Sequence, residues 1–478
     1  MTGSVLAVDQ GTSATKALVV SSERGVLGSC EVPVRPRYGE GGAVEQDPEQ
    51  LLASVVDAGR GALAAAGEPV VAVGLANQGE TVLAWDPGSG RPLSDALVWQ
   101  DRRARSVTER LAVAGEPLTA LTGLPLDPYF AAPKMAWLRE QVTTDGVVTT
   151  SDVWLMNRLT GAFVTDASTA SRTLLLDLDR CEWSQEALKV FDLARERLPE
   201  VVDAAGAYSE TNAFSEPLPV TGLLVDQQAA LLAQSCLGAG EAKCTFGTGA
   251  FLLANVGDRA PRSGTGLVTS VAWRVRGATT YCLDGQVFTA ASAVRWLVDL
   301  GVLPSAAALD EVAGTADSTG GVTFVPALAG LGAPWWRPEA RGSLRGLGLG
   351  TTAGHLARAL VEGIAAQVAD LAEAVADDLG RPLDRLRVDG GLTRSRLLLQ
   401  AQADLLQVPV EVYASPDATA LGVAAAARLG LDPVLAIADA VQAWRPSAVV
   451  EPQASVAEAA DRMATFRAAV AAVLAEHG

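Results

Sequence analysis

The stretch Val5-Leu-Ala-Val-Asp-Gln-Gly-Thr-Ser-Ala-Thr-Lys-Ala-Leu-Val-Val20 constrains this chain more than any other. An apolar run ends in Asp9, turns through Gln10, Gly11 and Thr12, and returns as a second apolar run, Ala17 to Val20. β-rich runs joined by a glycine-containing turn predict a hairpin. The glycine lets backbone N–H groups converge into an anion-binding concavity. Asp9, at the strand end beside it, is placed to hold a Mg²⁺ carried by phosphates. An ordinary N-terminal hairpin would look the same. The second copy tips the reading. Cys244-Thr-Phe-Gly-Thr-Gly-Ala-Phe-Leu-Leu-Ala-Asn-Val256 is again strand, Gly/Thr turn, strand, and it lies about half of the 478-residue chain further on. Paired phosphate-type hairpins predict two similar domains closing on one nucleotide. The join falls near Leu237-Gly-Ala-Gly240, giving domains over 1–237 and 238–478.

Length and composition agree, since a chain this long exceeds one ordinary core. With 49% hydrophobic and 19% charged residues it is globular rather than disordered. A net charge of −18 argues against a nucleic-acid or anionic-membrane partner, though not against an anionic substrate held by local donors. No signal peptide is apparent, and no apolar run is long enough for a membrane span. The five cysteines are scattered without a CxxC, which predicts reduced thiols and a cytoplasmic protein. The histidines are His355, opening a predicted helix, and His477, next to last. A Ser-His-Asp triad or a His-rich metal site is therefore not expected. The chemistry must rest on carboxylates, backbone donors and a bound cation.

Along the chain, Asp47-Pro48 starts a helix that runs to about Ala66 and exits at Gly67. Strands are predicted at Val70 to Leu75, Thr81 to Trp85 and Ala96 to Trp99. Strands alternating with helices indicate α/β layers, with ligands at strand ends such as Asn77 to Glu80 and Trp99 to Arg103. Asp226 follows the apolar run Leu223-Leu-Val225 and reads equally as the N-cap of a helix from Gln227 to Cys236. A helical stripe from His355 ends at Gly380. The strand Arg387 to Asp389 turns through Gly390-Gly391 into a helix from about Arg394 to Leu406. A strand from Val408 to Tyr413, a small-residue helix from Ala418 to Leu429 and a last helix capped by Ser455 follow.

Several segments together resemble glycerol kinases and, more widely, the FGGY carbohydrate kinases. They are Val98-Trp-Gln-Asp-Arg-Arg103, Asp127-Pro-Tyr-Phe130, Thr165-Asp-Ala-Ser-Thr-Ala-Ser-Arg-Thr173, Asp226-Gln-Gln-Ala-Ala230, Phe324 to Trp335 and Val388-Asp-Gly-Gly391. The resemblance implies an α/β, two-domain, actin-like (ribonuclease-H-like) sugar kinase fold with its active site in the interdomain cleft. It further implies ATP and Mg²⁺, a small polyol or sugar as acceptor, and a homodimer or homotetramer as the oligomers to consider. Asp226 would be the general base, a role worth roughly 10²–10⁴ in rate. Asp9 would be associated with the metal. Glu80, Trp99, Tyr129, Asp226, Gln227 and Phe251 map to the acceptor pocket, where core packing is the alternative for the aromatics. Thr12, Ser13 and Lys16 from the first hairpin, and Thr248 and Gly249 from the second, would hold phosphates. Gly391, Ser395 and Arg295 would lie at the adenosine, with a tight strand-to-helix turn the rival account of the glycine pair.

The departures matter for specificity. Lys16 stands where glycerol kinases carry Arg, Ser395 where they carry Asn, and Ala291 and Arg295 where they carry Gly and Gln. Most consequentially, Asn77-Gln-Gly-Glu-Thr81 has Gly79 in place of Arg. That removes a guanidinium donor from the acceptor site and opens volume. A substrate larger than glycerol is therefore expected: a tetritol, pentitol, ketopentose or similar sugar. The alternatives are a true glycerol kinase, a degenerate regulatory homologue, and a non-catalytic actin-like module.

Overall fold

The computed structural model describes residues 3–214 and 216–476; His477 lies outside them. The first hairpin forms as expected: β1 (Ser4–Gln10) pairs antiparallel with β2 (Ala14–Ser21), and Gly11 N–H closes the turn on the Ala14 carbonyl at 3.1 Å. β2 continues antiparallel into β3 (Gly25–Pro33). Helix α1 (Pro48–Ala66) begins where Asp47 accepts from the Glu49 N–H, and ends at Gly67 in the left-handed region. It returns the chain to β4 (Val70–Asn77), which lies parallel to β1. With β5 (Ala205–Thr211) and β6 (Leu218–Val225), the sheet order is β5-β6-β4-β1-β2-β3.

The second half repeats this pattern around β7 (Ala242–Phe246) and β8 (Ala250–Gly257), the second hairpin. Strands β9 (Val268–Val275), β10 (Ala278–Val287), β11 (Leu386–Asp389), β12 (Val410–Val412) and β13 (Ala448–Val450) complete the order β9-β10-β8-β7-β11-β12-β13. In both sheets the hairpin's first strand has a parallel neighbour, β4 or β11, whose C-terminal end opens beside the Gly/Thr turn. This is the doubled, actin-like α/β arrangement.

Alternation along β7 explains how the second sheet is buried on one side and polar on the other. Ala242, Cys244 and Phe246 enter an apolar core, whereas Lys243 and Thr245 share the opposite face. The cross-strand neighbours of Thr245 are Phe251 and Asp389, so the cleft-facing surface carries charge and an aromatic ring. Helix α4 (Ala353–Leu379) fills the apolar side; Thr352 and His355 form its capping box, and Gly380 ends it in the left-handed region. Helix α6 (Ala418–Leu431), although late in sequence, packs on the first sheet: a Cβ on Gly74 or Gly222 would lie 2.6 Å from its Val423 carbonyl or Ala427 nitrogen. The last helix, α7 (Val456–Ala475), has Ser455 in a capping box.

Two differences from expectation bear on the site. The segment from Ala96 is a strand only to Leu97, because the Asp101 N–H bonds the Val98 carbonyl and turns the chain. Asp226 is not an N-cap. Val225 holds that position, and Asp226 is the first residue of α2 (Asp226–Ala233), which stops short of Cys236.

Candidate active site in the interdomain cleft

A cavity of about 170 Å³ opens between the two halves and is lined by Thr12, Ser13, Tyr38, Gln78, Glu80, Trp99, Gln100, Tyr129, Asp226, Gln227, Thr248 and Phe251. Every acceptor-pocket residue read from the sequence except Gly79 lies on this wall, as do Thr12, Ser13 and Thr248 from the two turns. Strand ends bring them together. Gln78 and Glu80 follow β4, Asp226 and Gln227 follow β6, and Phe251 lies on β8. The aromatic wall is a packed cluster: Trp99 meets Tyr129 edge-on at 5.6 Å and Phe251 at 6.2 Å between ring centroids. The Trp99 indole N–H donates to the Thr12 hydroxyl at 2.9 Å, tying this wall to the first turn.

Several polar groups that the sequence reading passed over shape the pocket. Arg172 is buried and donates through Nε to Glu80 at 2.6 Å, while its Nη1 lies 2.8 Å from Asp284 on β10 of the other half. Its guanidinium also lies over the Tyr129 and Phe130 rings. Lys134 is fully buried and donates to the carbonyls of Pro128, Tyr129 and Phe130, which fixes the loop carrying Tyr129. Lys243 donates to Gln227 at 2.5 Å and to Thr245 at 2.9 Å. Gln100 has a buried Oε1 with no hydrogen-bond partner among the described residues. Such an orphan at a pocket wall costs free energy until a donor reaches it. Arg172 lies in the segment Thr165 to Thr173, and the i, i+2 placement of Lys243 and Thr245 in one strand is a readable signal.

The carboxylates at the cleft floor are held in an unfavourable state. Burial, then repulsion from Glu80, pushes Asp226 up to about 6, although the Gln227 N–H and Lys243 oppose the shift. Its Oδ1 accepts from that N–H at 2.6 Å. Burial, then Asp226, pushes Asp9 up to about 8, and no side-chain hydrogen bond reaches Asp9 among the described residues. Burial likewise raises Glu80 against the pull of Arg172.

The remaining predicted positions lie off the cavity wall. Gly79 does not line the cavity: it has a φ of +75°, and a Cβ there would lie 3.0 Å from Val225 Cγ2. Lys16 is not in the turn but on β2 opposite Asp9, and its ammonium is paired with Asp417. Gly249 is needed for packing, since a Cβ would lie 2.4 Å from the Val287 carbonyl. Gly390, with a φ of +96° and the Phe246 carbonyl 2.4 Å from any Cβ, is the tight turn; Gly391 has open space beside it. Ser395 is buried and occupied: it accepts from the Leu398 N–H and donates to Asp310, capping α5 (Arg396–Leu406). Its hydroxyl is not free for a base. Arg295 is exposed on α3 (Ala291–Asp299).

Residues 4–233 match the N-terminal domain, and 242–431 the C-terminal domain, of the FGGY family of carbohydrate kinases. The glycerol kinase of Thermus brockianus is 45% identical over 461 residues, covering 93% of each chain. That of Trichlorobacter lovleyi is 44% identical, covering 89% of this chain and 90% of its own. The structure of Plasmodium falciparum glycerol kinase with ADP superposes with a TM-score of 0.90 at 29% identity, over 99% of this chain and 98% of that one. The xylulose kinase of Lactobacillus acidophilus shares the fold, with a TM-score of 0.89 at 21% identity over 99% of this chain and all of its own. Among the described residues, no helix is long and apolar enough to cross a membrane. The chain belongs to the FGGY family of carbohydrate kinases and has the fold of an ATP-dependent phosphotransferase with an alcohol acceptor.

Proposed function

We propose that the acceptor is a small polyol or sugar longer than glycerol, phosphorylated with Asp226 as general base. The observation that carries this reading is the cavity itself. Two carboxylates, Glu80 and Asp226, and the orphaned Gln100 carbonyl line one pocket with the Trp99, Tyr129 and Phe251 rings. Carboxylates and a carbonyl accept from hydroxyls, while the aromatic faces pack on a carbon chain. A carboxylate held up to about 6 is ionised near neutrality, yet close enough to a useful basicity to take a hydroxyl proton in the transition state. Residues 1–237 then supply the acceptor side and residues 238–478 the nucleotide side, with Thr12, Ser13, Thr248 and Gly391 facing the phosphates and adenosine.

Mg²⁺ suits the floor of this cleft. Asp9 and Asp226 repel each other there, and a divalent cation held by Asp9 and the phosphates would relieve that repulsion and neutralise charge on the transferred group. Lys16, once released from Asp417, adds a point charge where a guanidinium would bind in a fork.

Glycerol itself is the second reading, favoured by the names of the relatives at 45% and 44% identity. A longer acceptor is favoured because position 79, next to Glu80, carries no arginine, so a donor that the resemblance leads one to expect for glycerol is missing, although Gly79 itself stays off the cavity wall. Purified protein assayed for acceptor-dependent ADP release across glycerol, tetritols, pentitols and ketopentoses decides between them. The highest kcat/KM on glycerol would overturn the longer-acceptor reading. Asp226→Asn should lower kcat by roughly 10²–10⁴ on the best acceptor, and unchanged turnover would reject Asp226 as base.

A further inference from the structure

We infer that Lys243 is a positioning residue that makes the Gln227 side chain a dedicated hydrogen-bond donor to the acceptor. Lys243 is fully buried on β7, and among the described residues no carboxylate lies within ion-pair distance of its Nζ. Its close polar neighbours are the Gln227 amide, at 2.5 Å, and the Thr245 hydroxyl, at 2.9 Å. An ammonium carries donors and no acceptor, so the amide must turn its carbonyl oxygen toward Nζ. The amide NH₂ is then the only end of Gln227 left for the cavity that Gln227 lines.

The orientation is reinforced from behind. Thr245 donates to Asp389 at 2.6 Å, so its oxygen lone pairs face Lys243 and fix the ammonium in place. Lys243 and Thr245 share a face of β7 two residues apart, and Asp389 is the cross-strand partner of Thr245 on β11. Lys243 opposes the upward shift of Asp226, Asp284 and Asp389, although none of the three forms a direct ion pair with it. Gln227 belongs to the first half of the chain and Lys243 to the second, so the contact spans the join between them.

The chemical consequence is a defined recognition pattern. Glu80 and Asp226 can accept from acceptor hydroxyls, and the Gln227 NH₂ donates to an acceptor oxygen. With no arginine at position 79, Gln227 becomes a principal neutral donor in the pocket. This assignment rests on the polyol or sugar kinase reading. An acceptor lacking the oxygen that meets Gln227 should lose roughly tenfold or more in kcat/KM, because a donor enclosed by the bound acceptor is left unpaired.

The test is a double-mutant cycle on the best acceptor of the panel, using wild type, Lys243→Met, Gln227→Met and the double variant. Lys243→Met should lower acceptor kcat/KM by roughly tenfold, mostly through KM, while the KM for ATP changes less than about twofold. In the Gln227→Met background the same change should have little further effect. Equal losses with and without Gln227, or an unchanged acceptor KM in Lys243→Met, would overturn the assignment. If Lys243→Met does not fold, Lys243→Gln, whose amide can offer either end, should relax the preference between acceptors that differ at one oxygen; retained preference counts against the proposal. If wild type turns over no acceptor, the kinase reading fails instead. Urea unfolding of the same four proteins then reads the Lys243–Gln227 coupling with no acceptor present, and zero coupling would overturn this assignment independently.

Discussion

The pH profile of the reaction tests how the acceptor site is built. Asp226 must be ionised to take a proton, and burial followed by the charge of Glu80 raises it from 3.8 to about 6. kcat/KM should therefore be flat above about pH 7 and fall about tenfold per pH unit below about 6. The terminal phosphate of the nucleotide titrates in the same region, so the inflection alone does not identify the group. Glu80→Gln separates the two. Removing a neighbouring carboxylate should lower the Asp226 inflection by on the order of half a unit to one unit and leave the phosphate unmoved. Glu80 also lines the acceptor pocket, so the level of kcat/KM will drop; the position of the inflection, fitted across pH at saturating Mg²⁺ and ATP, carries the information. An inflection at the same pH in wild type and Glu80→Gln would refute the electrostatic coupling. A wild-type profile flat down to about pH 5 would refute the raised basicity of Asp226.

Other consequences follow from the floor of the cleft and the second turn. Asp9 rises from 3.8 to about 8 on folding, so its contribution to stability is lost as pH rises between those values. At about 1.4 kcal/mol per unit this is at most several kcal/mol, so Asp9→Asn should raise Tm at pH 8 and leave it nearly unchanged at pH 4 while lowering Mg²⁺-dependent activity; an equal Tm shift at both values would count against it. Gly390→Ala meets the Phe246 carbonyl at 2.4 Å with a φ of +96°, so it should destabilise by about 1–3 kcal/mol in urea unfolding, whereas Gly391→Ala, with open space beside it, should cost under about 1 kcal/mol. Similar losses at both glycines would refute the turn geometry.

Local signals carried much of this structure. The first hairpin was readable because apolar alternation and a glycine turn lie within a single window. The ends of α1 were readable because Asp47, Pro48 and Gly67 are themselves the capping groups. What stayed hidden depends on partners far along the chain. The Ser395 hydroxyl is taken by Asp310, 85 positions away. The Lys16 ammonium, beside the phosphate turn in sequence, is paired with Asp417. Arg172 is 92 positions from Glu80, and only the fold shows that this carboxylate already has a partner. Gly79 reads as a missing side chain in sequence and as a left-handed turn in space. Spacing reports which residues share an element, whereas tertiary contact decides which of their atoms are still free.

The cleft gathers more negative than positive charge before any ligand enters. Asp9, Glu80, Asp226, Asp284 and Asp389 are all raised, with burial the largest cause in each case. Against them stand Arg172, shared by Glu80 and Asp284, and Lys243, which directly pairs with none of them. A surface chosen for stability alone would not collect five desolvated carboxylates, three of them (Glu80, Asp284 and Asp389) buried, because each desolvated charge opposes folding. The arrangement makes sense if the missing positive charge and the missing hydroxyl donors arrive with the ligands. A cation carried by nucleotide phosphates supplies the first, and an acceptor rich in hydroxyls supplies the second. Binding then relieves strain that folding installed. The two halves have reason to close only when both ligands are between them, which keeps water from competing with the acceptor for the transferred phosphoryl group.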